Sequence, residues 1–180
     1  MRVINSQKLL IAVFLIIFPW LSFAAKYGAR LSIPIVATSP DPTHGYQMML
    51  TYHPETLVWH QFRIAFDGGY SHLWTNTTEY KNINIYSVSP IIQYQFMRHP
   101  FIKPYVELSI GLSYLNRTHF DHRNLGIHMA FQDRVGLGAL LGEAEHLSLG
   151  LHALHYSNAH LSEHNSGITV PLVFDVGYQF

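Results

Sequence analysis

From residue 25 onward this chain alternates. Apolar side chains recur at every second position in row after row: Tyr27, Ala29, Leu31, Ile33 and Ile35; Tyr46, Met48, Leu50 and Tyr52; Val106, Leu108, Ile110, Leu112 and Tyr114. A period of two belongs to strands, and it gives each strand one apolar and one polar face. No stretch in this part reaches the roughly 20 apolar residues of a membrane helix. Yet the chain carries 11 Phe, 11 Tyr and 3 Trp against only 11 basic and 11 acidic residues. Aromatic, sparsely charged and alternating, the sequence predicts an all-β fold: an eight-stranded antiparallel transmembrane β-barrel.

The first 24 residues read differently. Arg2 and Lys8 precede the apolar run Leu9–Phe18, and Ser22-Phe23-Ala24 supplies small residues at a cleavage site. This predicts a signal peptide over 1–24 and a barrel over 25–180. Balanced charge without a basic stripe argues against nucleic acid as a partner. Absence of cysteine excludes disulfides and thiolate metal sites.

Turn signals divide the barrel. Ser39-Pro40-Asp41-Pro42-Thr43, Thr75-Asn76-Thr77-Thr78-Glu79, the Asp121 region and the Glu163 region predict the longer, outer connections. Those near Pro54, His99-Pro100 and Gly142-Glu143-Ala144-Glu145 predict the periplasmic turns, with both termini periplasmic. The last strand is expected from Ile168 onward with Val170, Leu172, Phe174, Val176, Tyr178 and Phe180 on its outer face. Glu107 and Arg134 are expected to face an interior filled by side chains.

One row breaks the pattern. Leu147, Leu149, Leu151 and Ala153 lead, in the same parity, to His155 and Ser157. A histidine that accepts a serine proton makes a nucleophile, and an outward-facing pair of this kind suits an esterase acting on a lipid. Asn158 follows and is a candidate oxyanion-hole contributor with the N–H groups of the loop it opens. The bland alternative is a polar strand end at the headgroups, where even a charge costs about 0–1 kcal/mol. His-x-Ser alone is a weak signal. Histidine is abundant, 13 in all, but spacings such as His119-x-x-His122 fall on loops, so no metal is expected.

The wider segment is more specific. His155-Tyr156-Ser157-Asn158-Ala159, then Asn165-Ser166-Gly167 and one final strand, resembles the C-terminal signature of the lipid A 3-O-deacylase (PagL) family. Phe131-Gln132-Asp133-Arg134-Val135-Gly136-Leu137-Gly138 extends the resemblance upstream. It implies an outer-membrane enzyme that hydrolyses the ester-linked hydroxyacyl chain at position 3 of lipid A. Ser157 would be the nucleophile, His155 the base and Asn158 an oxyanion contributor, with no cofactor. The implied partners are lipopolysaccharide and the outer-membrane bilayer of a bacterial cell, with a homodimer left open.

Two positions depart from the family. Its acid is a glutamate on the last strand, where this chain has Thr169 or, counting from the other end, Val170. Its glycine two residues after the asparagine is His160 here. Three replacements for the acid stay open: Thr169 steadying a Ser–His dyad, Glu163 folding back from the loop, or Asp133. If 143–145 form the hairpin loop, Asp133 lies directly across from His155. The departure at Thr169 keeps a second reading alive, a non-catalytic eight-stranded barrel with an envelope or adhesion role. A palmitoyl transferase barrel fits less well, because such enzymes work inside the barrel.

Overall fold

The computed structural model describes residues 25–36, 42–77, 79–96 and 101–180. The expected leader, and the expected turns at Ser39-Pro40-Asp41 and His99-Pro100, lie outside the described residues. Eight long strands are present among them: β1 (Ala25–Val36), β2 (His44–Pro54), β3 (Phe62–Trp74), β4 (Asn82–Gln95), β5 (Ile102–Leu115), β6 (Met129–Leu141), β7 (Leu147–Ser157) and β8 (Ile168–Gln179). Each pairs antiparallel with the next, and β8 returns to β1 from Gly28↔Gln179 to Ile33↔Phe174. Closure pairs each of these eight strands on both sides, the condition for crossing a bilayer with strands.

The alternation read in the sequence decides the two faces. Leu31, Leu50, Val88, Leu108, Ile110, Val135 and Leu137 stand exposed on the outside. Aromatics ring the barrel at two levels, Tyr27, Tyr52 and Phe66 at one and Tyr46, Tyr70 and Tyr86 at the other. Such belts sit where hydrocarbon meets headgroups. Inside, Arg30 and Glu107 pair at 2.8 Å, and Arg134 reaches Asp67 at 2.7 Å and Glu107 at 3.2 Å. His152 and Asp175 meet at 2.6 Å. Glu107 and Arg134 thus face the interior as the parity requires. Above this polar layer an apolar roof of Leu73, Ile83, Leu115, Phe120, Leu125 and Leu154 closes the long-loop end.

The eighth strand corrects one expectation. Val170 is buried inside, not on the outer face, while Thr169 and Pro171 are exposed. Pairing with β7 runs His152↔Val173 and then Leu154↔Val170, so β8 carries an extra residue between them. Pro171 lies within this bulge. Proline has no N–H for the ladder, and bulges are where a strand tolerates it. The extra residue inverts the parity of everything N-terminal to it. Thr169, rather than Val170, therefore faces outward beside His155.

The strands leave two unlike ends. Connections 116–128 and 158–167 are the longest and lie at the same end. At the other end the 142–146 turn folds over the barrel mouth. Glu145 there reaches Arg63 at 2.9 Å and Lys103 at 2.5 Å. Partial desolvation works against its charge, but the hydrogen bonds from Lys103 and Arg63 win and hold its carboxyl below the ordinary value. A depressed carboxylate stabilises the fold above the ordinary carboxylate range and loses that contribution as pH falls through its folded value. Glu145→Gln is therefore expected to lower unfolding free energy by about 1 kcal/mol at neutral pH. Urea titration of the folded barrel should show the difference shrinking in acid.

Candidate active site

Strand β7 ends at the long-loop end with His155 and Ser157 on its outer face, both half-buried. Tyr156 between them points inward and is fully buried, its hydroxyl near Gln47 and Ser71 at 3.2 Å. That anchor fixes the strand on which the two polar side chains stand. His155 is held from the next strand: its Nδ1 lies 2.8 Å from Thr169 Oγ1, and the two residues are register partners. With Nδ1 so engaged, Nε2 is the nitrogen left to act. Gly167 completes the seat. Its φ is +62°, and a Cβ there would come within 3.0 Å of His155 Cε1 and 3.5 Å of Nε2. Glycine adopts that conformation without strain and leaves the imidazole its room.

Of the three candidate partners for His155, Thr169 makes the contact. Asp133 is His155's register partner on the opposite side, across the β6–β7 pair, as the hairpin count anticipates. It lines the same groove without a hydrogen bond to the imidazole. Glu163 stands exposed in the 158–167 loop, and the hydrogen bond to His155 comes from Thr169 instead.

Asn158 is placed otherwise than expected. It continues the inward row of β7 and is buried to 1 % exposure. Its Nδ2 donates to the Leu125 carbonyl (2.9 Å), Ser162 Oγ (2.8 Å) and the His164 carbonyl (2.7 Å). Its backbone N–H donates to Asn165 Oδ1 at 2.8 Å. The amide thus serves the loop interior instead of the outer face. Asn165, to which sequence reasoning assigned no role, accepts that N–H and so ties the far end of the 158–167 loop to the residue after Ser157. Ala159 and His160 then turn the chain with φ of 51° and 62°. A left-handed φ costs a residue other than glycine about 1–2 kcal/mol. This explains why a glycine is at home where this chain has His160.

Beside His155 runs an apolar groove of about 200 Å³ on the outer surface. Leu108, Ile110 and Val135 wall it, and Ala153, the smallest outward residue of β7 near the pair, leaves room for it. Asp133, His155 and Thr169 edge it toward the long-loop end. No cluster of three or more metal-ligating side chains occurs among the described residues. The arrangement offers a hydroxyl, an oriented imidazole and an adjoining slot for a hydrocarbon chain.

The family model for lipid A 3-O-deacylase (PagL) matches residues 44–178. Lipid A deacylase PagL of Pseudomonas aeruginosa is 35% identical over 102 residues, 57% of each chain. Its namesake in Bordetella bronchiseptica is 27% identical over 144 residues, 76% of this chain and 78% of that one. The crystal structure of the outer membrane enzyme PagL superposes with a TM-score of 0.66 at 27% identity, covering 87% of this chain and 99% of its own. The closed barrel and the matched span place the chain in the lipid A 3-O-deacylase (PagL) family of outer-membrane enzymes.

Proposed function

We propose that the protein is a serine esterase that removes the ester-linked hydroxyacyl chain at position 3 of lipid A, working from the outer leaflet. The observation that carries this reading is that His155 and Ser157 share the outer face of one strand, with His155, its imidazole oriented through Nδ1, at the edge of an apolar groove. A soluble esterase buries its site. A site on the lipid-facing wall suits a substrate that arrives through the membrane plane. The long loops stand at the site's end, and in barrels of this kind the longer loops are extracellular, where lipopolysaccharide resides.

In this reading His155 Nδ1–H donates to Thr169, and Nε2 takes the Ser157 proton as Oγ attacks the ester carbonyl. The oxyanion meets the N–H groups of the turn at Ala159 and His160. Asn158 contributes by fixing that turn rather than by a donor of its own. Collapse returns the proton from Nε2 to the sugar oxygen as the ester bond breaks. Water then hydrolyses the acyl-serine by the same route, freeing a hydroxy fatty acid. Thr169 holds the imidazole's tautomer but carries no charge to balance the imidazolium, a departure that favours, as second reading, a barrel that has lost its activity.

Expression in a bacterial outer membrane, followed by mass spectrometry of lipid A, decides between them. The expected result is lipid A lighter by one hydroxyacyl chain. Unchanged lipid A, in intact and in detergent-treated membranes with the barrel folded, would leave the inactive barrel.

A further inference from the structure

We infer that the 116–128 connection is part of the catalytic apparatus, a brace that holds Ser157 in place through Asn158; this rests on Ser157 being the nucleophile. Ser157 is the last residue of β7, so the ladder that fixes the strand stops where the chemistry begins. Beyond it the chain turns through two left-handed residues. A nucleophile at a strand end needs restraint from elsewhere, since a displacement of about 1 Å can cost about 100-fold in rate.

The restraint comes from the neighbouring loop. Asn158 Nδ2 is bound by the Leu125 carbonyl at 2.9 Å. Farther along, the Ser166 N–H donates to the Asn124 carbonyl at 3.0 Å, and the Asn124 N–H returns a bond to Ser166 Oγ at 3.3 Å. The two connections are thus stitched at both ends of the 158–166 segment. The brace is itself anchored. Leu125 is 1 % exposed in the apolar roof with Leu154, Tyr156 and Ile168, and its N–H donates to the Thr118 carbonyl. One side of Leu125 grips the barrel interior and its carbonyl grips Asn158.

Gly126 is the point at which the fit can be tested. Its φ is +74°, and a Cβ there would lie 2.0 Å from Ser162 Oγ and 2.5 Å from the His164 carbonyl. Those two atoms are the other acceptors of the Asn158 amide. A methyl group at Gly126 would push apart the cage around Asn158 from outside the strand ladder. The eight-strand closure uses none of these bonds, so the barrel can fold without them. Gly126 and Asn158 are therefore positioning residues, acting on the reaction only through Ser157 and its flanking backbone.

The test compares wild type, Gly126→Ala, Asn158→Ala and the double variant in purified, refolded form on lipid A. Each single variant is expected to lower kcat by about 10- to 100-fold with KM little changed. The double variant should be no worse than the poorer single one, because both release the same cage. Ser157 labelling by a small fluorophosphonate, which does not need the acyl groove, should slow in parallel. A folded Gly126→Ala with wild-type kcat and labelling rate overturns the brace, as do losses that multiply or that fall on KM alone. If Gly126→Ala does not fold, Ser162→Ala, which removes one acceptor from the cage, must still lower kcat and labelling, and a full rate overturns the proposal. Inactivity of the wild type would instead defeat the esterase reading itself.

Discussion

Ser157→Ala is expected to abolish the release of the hydroxyacyl chain, lowering kcat by a factor of about 10³ or more while the barrel still folds. Removing the nucleophile of a Ser–His pair costs nearly as much as removing the whole unit, and the remainder reflects binding and oxyanion stabilisation alone. Among the described residues, the strand serines near this level cannot substitute. Ser71, Ser87, Ser89, Ser109 and Ser113 are buried in the polar interior, behind the wall that the substrate would contact. Ser157 itself stands on the outer face at a strand end, so truncating its hydroxyl leaves the β6–β7 and β7–β8 ladders as they are. His155→Ala should cost about as much, and the double variant no more than either. Mass spectrometry of lipid A from cells with each variant, alongside kcat on purified lipid A, reads the loss. Deacylation at the wild-type rate by Ser157→Ala would place the chemistry on another group and remove the esterase mechanism argued here.

Much of this geometry was legible in the sequence, for a definite reason. A strand with one face in lipid and the other in a packed polar interior has its parity fixed at every residue, since a one-residue slip would turn Arg134 or Glu107 into hydrocarbon. That constraint carried the outward placement of His155 and Ser157. The hairpin at 142–146 likewise set the Asp133↔His155 register by simple counting. Parity also points Asn158 inward, in the row of His152, Leu154 and Tyr156, against the oxyanion role that its place directly after the serine suggests. An uninterrupted β8 would put Val170 outward; Pro171, which cannot donate to the ladder, marks the bulge that turns it inward. What could not be read was the loop chemistry. The bonds from Asn158 to Leu125 and from Ser166 to Asn124 join residues more than thirty positions apart in irregular backbone, where no period exists to align them. Asn165 was missed for the same reason.

Thr169→Glu is expected to raise kcat by about 10- to 100-fold. In the structure Thr169 Oγ1 lies 2.8 Å from His155 Nδ1, so it can hold the ring in the productive tautomer. A hydroxyl does little more, because the imidazolium that forms as Ser157 gives up its proton finds no opposite charge on that side. A carboxylate there would attract it by about 4 kcal/mol at 4 Å for an effective dielectric constant near 20. Part of that gain is spent on desolvating the new carboxylate, leaving about 1.5–3 kcal/mol for the transition state, at 1.4 kcal/mol per tenfold in rate. Thr169 is exposed on the outer face just after Gly167, so the longer side chain has room to bend back to Nδ1. The same experiment tests Asp133, which faces His155 from the other neighbouring strand and carries a charge that could already serve the imidazolium. If it does, Asp133→Asn lowers kcat about tenfold or more and Thr169→Glu adds little, since one carboxylate has already supplied the attraction. If it does not, Asp133→Asn leaves the rate unchanged and Thr169→Glu gives the full rise. Steady-state kcat for the two single variants and the double variant separates these outcomes. A rate that falls in Thr169→Glu, with the barrel folded, would mean that the hydroxyl does more at this site than orient the imidazole, and would defeat the assignment of Thr169 as a weak stand-in for the acid.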